Sequence, residues 1–149
     1  MIKVGEKIPE FSVKDHNGEI IDIKSLRGKK ILLSFHPLAF TGVCETQMKN
    51  LDLKFGELSG LNIVPLGFSV DSVPAKKAWA EQLKLKNLRL VSDFWPHGEI
   101  SKKLGIFREN EGFSERANIL VDEEGTVIWA KVYEMREQPD LNEIMKYVS

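Results

Sequence analysis

The sequence predicts an α/β fold in which helices cover a mixed β-sheet. Short apolar runs alternate with segments of helical periodicity through the first half of the chain, a pattern typical of parallel strands joined by helices. Two turn signals, Asn17-Gly18 and residues 122–125, each lie between apolar runs and predict antiparallel hairpins. We therefore expect a hairpin, a β-α-β-α-β segment, a short helix and a final ββα unit.

Apolar runs bounded by turn residues define the predicted strands. The run of residues 31–35 indicates a buried strand that leads directly towards the only cysteine of the chain. Pro65 is unusual inside a central strand and predicts a bulge there. The predicted strands are residues 11–14, 20–23, 31–35, 61–70, 88–91, 117–121 and 127–132.

The helix predictions depend on apolar residues at helical spacing and on capping residues. The helix that follows Thr41 is expected to continue to about Leu58, where Ser59 and Gly60 end it. A second helix is expected after residues 71–74, which supply capping side chains and a proline in the first turn. This second helix is expected to cover residues 75–85. Two further helices are predicted at residues 99–104 and 139–148.

Composition argues against several classes of protein. A chain of 149 residues is long enough for one domain with a substantial core, so we expect a single domain over residues 1–149. The net charge is −1 and no basic face is visible, so no nucleic-acid partner is expected. No run approaches the roughly 20 apolar residues that span a bilayer. Because the N-terminus also lacks the apolar core of a signal peptide, we expect no membrane partner and a cytoplasmic location.

Cys44 is predicted to lie in the first turn of the helix that follows the buried strand. A thiol there lies near unpaired backbone N–H groups and the positive end of the helix dipole, which favours the thiolate. A single cysteine allows no internal disulfide, no CxxC pair and no cysteine metal cluster, and neither a metal nor a cofactor is predicted. Cys44 is therefore either an inert core residue or a nucleophile that needs an outside partner.

The residues around Cys44 form a recognisable motif. Pro37, Thr41 and Cys44 spell P-x-x-x-T-x-x-C, which resembles the active-site motif of the peroxiredoxins. The strings PLAFTGVC, DFWPHG and ERANILVD are similar to the alkyl hydroperoxide reductase E-type branch of that family. The resemblance covers nearly the whole chain, and it implies a thioredoxin-like fold with an N-terminal β-hairpin extension.

The resemblance implies four catalytic residues, of which Cys44 supplies the thiolate that becomes a sulfenic acid. The Thr41 hydroxyl can bridge thiolate and peroxide, although spacing alone fits a helix N-cap equally well. Pro37 has no amide donor and would shield the sulfur, but a simple strand terminator explains it too. Arg116 would favour the thiolate and hold the peroxide. By spacing alone a surface arginine is the commoner case, and the match to the family's R-A-x-x-x-V-D strand supports the catalytic role.

Five further residues are expected to bind the substrate or border its pocket. The backbone N–H groups of Val43 and of the cysteine could bind a peroxide oxygen, and Gly42 would permit close approach. The resembled family often has Glu or Gln at the position of Gln47, where it orients the arginine, although a solvated helix residue fits the spacing nearly as well. Phe40 and Trp95 could border the pocket or a subunit interface.

His36 departs from the resembled family, whose members tend to carry an aromatic residue at this position. A Cys–His pair would suggest nucleophilic hydrolysis. A thiol protease also needs a third orienting group and an oxyanion pocket. We therefore interpret His36 as a packing residue at the end of a strand.

The resemblance implies an oxidoreductase, a thiol-dependent peroxidase of the one-cysteine type, with an antioxidant role in redox homeostasis. Its substrates would be hydrogen peroxide, alkyl hydroperoxides or peroxynitrite. Because there is no second cysteine, an external reductant must reduce the sulfenic acid: a low-molecular-weight thiol, or a thioredoxin- or glutaredoxin-like protein. The resemblance also implies a homodimer.

Two other functions are compatible with a reactive Cys44. One is a peroxide-sensing module that passes its oxidation to a partner without efficient turnover. The other is a thioredoxin-like disulfide reductase, which the missing CxxC pair disfavours because nothing else in the chain can release a mixed disulfide. Turnover with a reductant separates the peroxidase from the sensor.

Overall fold

A computed structural model describes all 149 residues and contains one large and one small β-sheet. The strands are β1 (Ser12–Asp15), β2 (Ile20–Asp22), β3 (Lys30–Phe35), β4 (Ile63–Ser69), β5 (Arg89–Ser92), β6 (Phe107–Arg108), β7 (Phe113–Ser114), β8 (Arg116–Val121) and β9 (Val127–Tyr133). The helices are α1 (Gly42–Leu53), α2 (Phe55–Gly60), α3 (Val73–Leu83), α4 (Glu99–Lys103) and α5 (Leu141–Val148), with a short 3-10 helix at Ile23–Leu26.

The large sheet has seven strands in the order β2-β1-β5-β4-β3-β8-β9. Strands β3, β4 and β5 are parallel, whereas β8 pairs with β3, and β1 with β5, in antiparallel fashion. The N-terminal hairpin β1–β2 extends one edge of this sheet, and the late hairpin β8–β9 forms the other. The predicted mixed sheet with an N-terminal hairpin extension is therefore confirmed.

The two crossover connections explain which face each helix covers. The chain moves in one direction from β3 to β4 to β5, and right-handed crossovers then place α1, α2 and α3 on the same face. Together with α5 they cover one apolar layer, while α4 and the N-terminal segment cover the other. Because β3 lies between the two layers, its residues 31–35 are all buried.

The prediction of one continuous helix from Thr41 to about Leu58 is wrong. Helix α1 ends at Leu53, Lys54 has φ −91° and ψ 5°, and α2 begins at the next residue. Gly56, a poor helix former, lies two residues after Lys54. The carboxylate of Asp52 also binds a neighbouring loop and so holds the end of α1 in place. The sequence analysis also missed the small β6–β7 hairpin.

The bulge predicted at Pro65 is also absent, because the pairing of β3 with β4 runs without a shift from Lys30–Ile63 to Phe35–Phe68. The pairing of β4 with its other neighbour, β5, begins only at Leu66. Pro65 therefore lies where β4 has a hydrogen-bonded neighbour on one side only, and its missing amide hydrogen removes no bond of the ladder.

None of the helices combines the length and the apolar character that crossing a bilayer requires.

Asp52 joins the end of α1 to the start of β5. Its carboxylate accepts hydrogen bonds of 2.8 to 3.2 Å from the backbone N–H groups of Lys86, Asn87 and Leu88. Partial burial raises the pKa of Asp52, but the three amide hydrogen bonds together with the charge of Lys86 outweigh it, and the pKa lies below the ordinary value.

We expect Asp52→Ala to lower the free energy of unfolding by about 2 kcal/mol at neutral pH, because three amides lose a charged acceptor. Since the folded-state pKa is depressed, this contribution is present above the pKa of the unfolded chain and is lost as the pH falls through the folded value. Urea denaturation at neutral pH and at about pH 3 measures both effects. The exposed Glu81→Ala serves as the control, and equal stability of Asp52→Ala and wild type at neutral pH would contradict the prediction.

Candidate active site

The site lies where β3 ends and α1 begins. A loop of residues 36–41 joins them, and Cys44 is the third residue of α1, with 1% of its surface exposed. The first intrahelical hydrogen bond runs from the N–H of Glu45 to the carbonyl of Thr41, and no side chain caps the helix start. The amides of Val43 and Cys44 thus precede the first turn of helical hydrogen bonds, as the sequence predicted.

Arg116 is buried beside the cysteine. Its Nη1 lies 3.4 Å from Cys44 Sγ and donates a 2.7 Å hydrogen bond to Gln47 Oε1. Its Nε and Nη2 both donate to the carbonyl of Met135, at 3.1 and 2.9 Å. Only 3% of Arg116 is exposed, so the alternative of a surface arginine is wrong.

Strand pairing explains why Arg116 reaches a residue so distant in sequence. Strand β8 runs antiparallel to β3, with Ala117 opposite Phe35, so the start of β8 lies beside the end of β3. Side chains alternate along a strand, and Arg116 therefore shares the face of Asn118 and Leu120. Leu120 packs in the layer covered by α1, which carries Cys44.

Gln47 fixes the orientation of the guanidinium. It is 3% exposed, and its Nε2 donates to Ser34 Oγ at 2.8 Å and to the carbonyl of Phe35 at 3.2 Å. With both bonds made to β3, its Oε1 faces Arg116. The alternative of a solvated helix residue is therefore wrong.

The buried guanidinium has no carboxylate partner. No Asp or Glu oxygen lies within 4.0 Å of Arg116. A buried charge is costly unless an opposite charge or strong hydrogen bonds compensate it. Among the side chains in contact with Arg116, Cys44 is the one that can become an anion.

Thr41 and Pro37 lie on the loop that precedes the cysteine. Thr41 occupies the N-cap position, but its Oγ1 donates a 2.9 Å hydrogen bond to the carbonyl of Leu38 and does not cap the helix. Its lone pairs are therefore left to accept a hydrogen bond from another group. Pro37 is buried, as expected of a residue that shields the sulfur.

The structure places only some of the remaining predicted residues next to Cys44. Gly42 is exposed and Val43 half-buried at the helix start, next to Cys44. Phe40 is exposed, has φ 64°, and its ring centroid lies 6.1 Å from that of Trp79. Trp95 is 82% exposed and lines a groove between β1 and the start of α3, which none of the four predicted catalytic residues lines.

The sequence analysis missed a buried polar network behind the loop. Lys76 Nζ donates to Ser69 Oγ at 2.6 Å and lies 2.9 Å from His36 Nε2. Ser69 Oγ in turn donates to Asp71 Oδ2 at 2.5 Å, and the same oxygen accepts the N–H of Ala39 at 2.8 Å. Both Lys76 and His36 are fully buried, so this network forms the interior wall of the loop.

Burial strongly perturbs both basic groups of this network. Burial lowers the pKa of Lys76 to about 7, although the charges of Asp71 and Cys44 act to raise it. Burial, followed by the charges of Lys76 and Arg116, holds the pKa of His36 well below its usual range, so the ring stays neutral. His36 does pack against Trp79, with ring centroids 5.2 Å apart, but packing describes only part of its environment.

Lys76 could have been found from helical spacing. Lys76, Trp79 and Leu83 stand at i, i+3 and i+7 of α3 and share its buried face. A lysine in the apolar stripe of a helix is the signal. The next residue, Lys77, is exposed, and in the sequence the two adjacent lysines resemble an ordinary solvated segment.

The chain is similar in sequence to known proteins. The family model described as "AhpC/TSA family" matches residues 4–130. The chain is 36% identical over 141 residues to "Alkyl hydroperoxide reductase E" of Mycobacterium tuberculosis, which covers 94% of this chain and 92% of that protein. It is 32% identical over 154 residues to a "Peroxiredoxin" of Pyrococcus horikoshii, covering 99% of this chain and 71% of the relative.

The fold is also similar to that of solved structures. The crystal structure of Enterococcus faecalis AhpC matches with a TM-score of 0.89 at 25% identity, covering 99% of this chain and 91% of that chain. The reduced 2-Cys peroxiredoxin of Plasmodium vivax matches with a TM-score of 0.88 at 27% identity, covering 99% of this chain and 81% of that chain.

The buried amine makes a testable contribution to stability. The pKa of folded Lys76 is about 7, below the value of about 10.4 for an unfolded lysine. Between these values the unfolded chain binds more protons, so the cost of burying Lys76 is greatest below the folded value and falls as pH rises. We expect the unfolding free energy of wild type to rise, relative to Lys76→Met, by up to about 1.4 kcal/mol per pH unit between those limits.

Urea denaturation of the reduced proteins across this pH range measures the difference. Lys77→Met removes the same charge from the exposed neighbouring position and should follow the wild-type profile. Parallel profiles for wild type and Lys76→Met would show that the prediction is wrong.

Proposed function

This chain belongs to the AhpC/TSA family of peroxiredoxins, which are thiol-dependent peroxidases, and we propose that Cys44 is its peroxidatic thiol. The observation that carries the proposal is the contact of 3.4 Å between Arg116 Nη1 and the sulfur of the only cysteine. The guanidinium is buried and has no carboxylate partner, and the sulfur lies at a helix start. Both features favour a reactive thiolate.

The chemistry follows from these positions. The Cys44 thiolate attacks one oxygen of the hydroperoxide, so that an S–O bond forms as the O–O bond breaks. Sulfur is oxidised by two electrons to sulfenic acid, and the departing oxygen takes a proton to leave as an alcohol, or as water when the substrate is hydrogen peroxide. The N–H groups of Arg116 and the amides of Val43 and Cys44 stabilise the negative charge that develops on oxygen.

The remaining loop residues orient the substrate. The Thr41 hydroxyl, which already donates to Leu38, accepts the hydrogen of the peroxide O–H. Gly42 carries no side chain and permits the peroxide to approach the helix start. Pro37 offers no competing amide donor and keeps water from the sulfur.

We propose hydrogen peroxide, alkyl hydroperoxides and peroxynitrite as substrates, and an external thiol as reductant. The chain has one cysteine, so no second thiol of the same chain can attack the sulfenic acid. An external thiol therefore forms a mixed disulfide with Cys44 and releases water, and a second thiol frees Cys44 as a thiolate. Low-molecular-weight thiols and thioredoxin- or glutaredoxin-like proteins supply this chemistry.

We propose that the chain, as one domain over residues 1–149, forms a homodimer through the apolar residues near the site. Leu38, Phe40, Phe94 and Trp95 are all exposed. Their two loops are neighbours because Asp71 binds both, accepting the N–H of Ala39 with its carboxylate and the hydroxyl of Ser92 with its carbonyl. An exposed apolar patch of this kind is typical of a protein interface.

The first test is the second-order rate of hydrogen peroxide with the reduced protein, followed by tryptophan fluorescence. Trp79 is fully buried and its ring lies beside His36 and Phe40, so it reports on the loop. We expect a rate far above that of free cysteine, lost in Cys44→Ser. Arg116→Met should lower it by about 100-fold or more, as expected when an oxyanion donor is removed.

Arg108→Met is the matched control, since Arg108 lies away from Cys44, where it forms ion pairs with Glu111 and Glu115 and lies over the ring of Phe113. Should Arg116→Met fail to fold, Gln47→Ala removes the bond that orients the guanidinium and should also slow the reaction. A wild-type rate like that of free cysteine would refute the proposed site. Multiple turnovers with a low-molecular-weight thiol would separate the peroxidase from a sensor, which would be oxidised once and stay oxidised.

For the dimer, we expect Trp95→Asp to give monomers in analytical ultracentrifugation, because the patch would then have to bury a charge. Leu53→Asp is the control, since Leu53 is 80% exposed at the opposite end of α1. A monomeric wild type, or dissociation by both substitutions, would argue against this interface.

A further inference from the structure

Lys76 and Arg116 are the only lysine and arginine side chains that are buried in this structure. Arg116 contacts Cys44, and Lys76 contacts His36 in the loop that precedes it. The ammonium of Lys76 has two hydrogen-bond partners, Ser69 Oγ and His36 Nε2, and neither carries a charge that would compensate it. Removing an ammonium from water costs free energy that such partners return only in part.

The requirements of packing alone do not explain this lysine. Methionine has nearly the same length and would fill the space without a charge, and apolar replacements of buried ionic groups are often neutral or stabilising. Two further buried polar atoms beside Lys76, His36 Nδ1 and Trp79 Nε1, have no hydrogen-bond partner. Native proteins rarely retain such a concentration of unsatisfied polar groups without a functional reason.

We propose that Lys76 is a positioning residue of the peroxidatic site, which holds the loop of residues 36–41 and supplies a second buried positive charge that favours the Cys44 thiolate. The inference depends on the proposed function of Cys44 and adds to it a residue that does not touch the substrate.

The positioning role follows from two connections that bracket Pro37. On one side Lys76 Nζ contacts the ring of His36, the residue before Pro37, at 2.9 Å. On the other side it binds Ser69, whose hydroxyl joins it to Asp71 and so to the N–H of Ala39. The amine thus connects both ends of the segment that shields the sulfur.

The electrostatic role follows from the charges around the amine. Only Asp71 and Cys44 can be anions there, and the contact with Asp71 passes through Ser69. Their charges raise the pKa of Lys76 against the effect of burial, which brings it to about 7. Protonation of the amine and ionisation of the thiol therefore favour each other near neutral pH. The titratable groups that face this cluster are His36 and Arg116 in addition to Asp71 and Cys44.

The pH profile of alkylation by iodoacetamide tests the inference, because only the thiolate reacts and Cys44 is the only cysteine. We expect the midpoint pH of Lys76→Met to lie higher than that of wild type, by about half a unit or more. Lys77→Met, one position along the helix and exposed, should match wild type. Equal midpoints for a folded Lys76→Met and for Lys77→Met would overturn the inference.

A reciprocal measurement needs no change at Lys76. Coupling between two protons is mutual, so a cysteine that cannot ionise must lower the midpoint at which the Lys76 amine titrates. NMR of the lysine side chains, with Lys76 assigned by comparison with Lys76→Met or Lys76→Gln, compares reduced wild type with Cys44→Ser. A lower midpoint in Cys44→Ser supports the coupling, and an unchanged midpoint refutes it.

These measurements distinguish a failure of the coupling between Lys76 and Cys44 from a failure of the proposed peroxidase function. Alkylation and the NMR titration require no peroxide, so a failure of the coupling appears in their midpoints. A failure of the proposed peroxidase function appears in the rate with hydrogen peroxide. If both the coupling and the function hold, Lys76→Met should slow the peroxide reaction several-fold at neutral pH, and the deficit should shrink at higher pH, where the thiol ionises unaided.

Discussion

The rest of the site depends on one constraint: two basic side chains are buried at the active-site loop, Arg116 against the sulfur of Cys44 and Lys76 against His36, and neither contacts a carboxylate directly. Arg116 is held by a backbone carbonyl and by Gln47, and Lys76 by Ser69 and His36. These partners fix the position of each side chain without supplying a full charge of their own. For Lys76 the nearby anion is Asp71, reached through Ser69, and for Arg116 the only group in contact that can become an anion is the sulfur of Cys44.

The fold brings these groups together because the ends of three strands meet. Strands β3 and β4 are parallel, so the loop with Pro37 and Thr41 and the segment with Ser69 and Asp71 leave the sheet at the same edge. Strand β8 is antiparallel to β3 and therefore begins at this edge with Arg116. Helix α1 starts there as well, and its unpaired amides face the place where the strands end, the usual location of a binding site in α/β proteins.

The sequence predicted what local chemistry determines. The hairpin turns, the apolar strands and the start of α1 at Thr41 depend on neighbouring residues, and Cys44 could be placed from them. Arg116 is 72 residues from Cys44, so only the family motif indicated its position. Lys76 was missed because the sequence shows a lysine pair, Lys76-Lys77, and only the packing of α3 decides which one is buried. The break at Lys54 was missed because the apolar residues Leu51 and Phe55 keep helical spacing across it.

The same charges distinguish the site with reduced Cys44 from the site with oxidised Cys44. A sulfenic acid is neutral where a thiolate is negative, so in the proposed reaction oxidation of Cys44 would leave Arg116 without the anion in contact with it, and Lys76 with Asp71 as its only neighbouring anion. The oxidised site therefore attracts negative charge, and the thiolate of a reductant supplies it as it approaches the sulfur. Because the chain contains no second cysteine, this thiolate must come from another molecule. In the proposed mechanism, the charges that favour attack of Cys44 on a peroxide thus also favour its return to the reduced state by an external thiol.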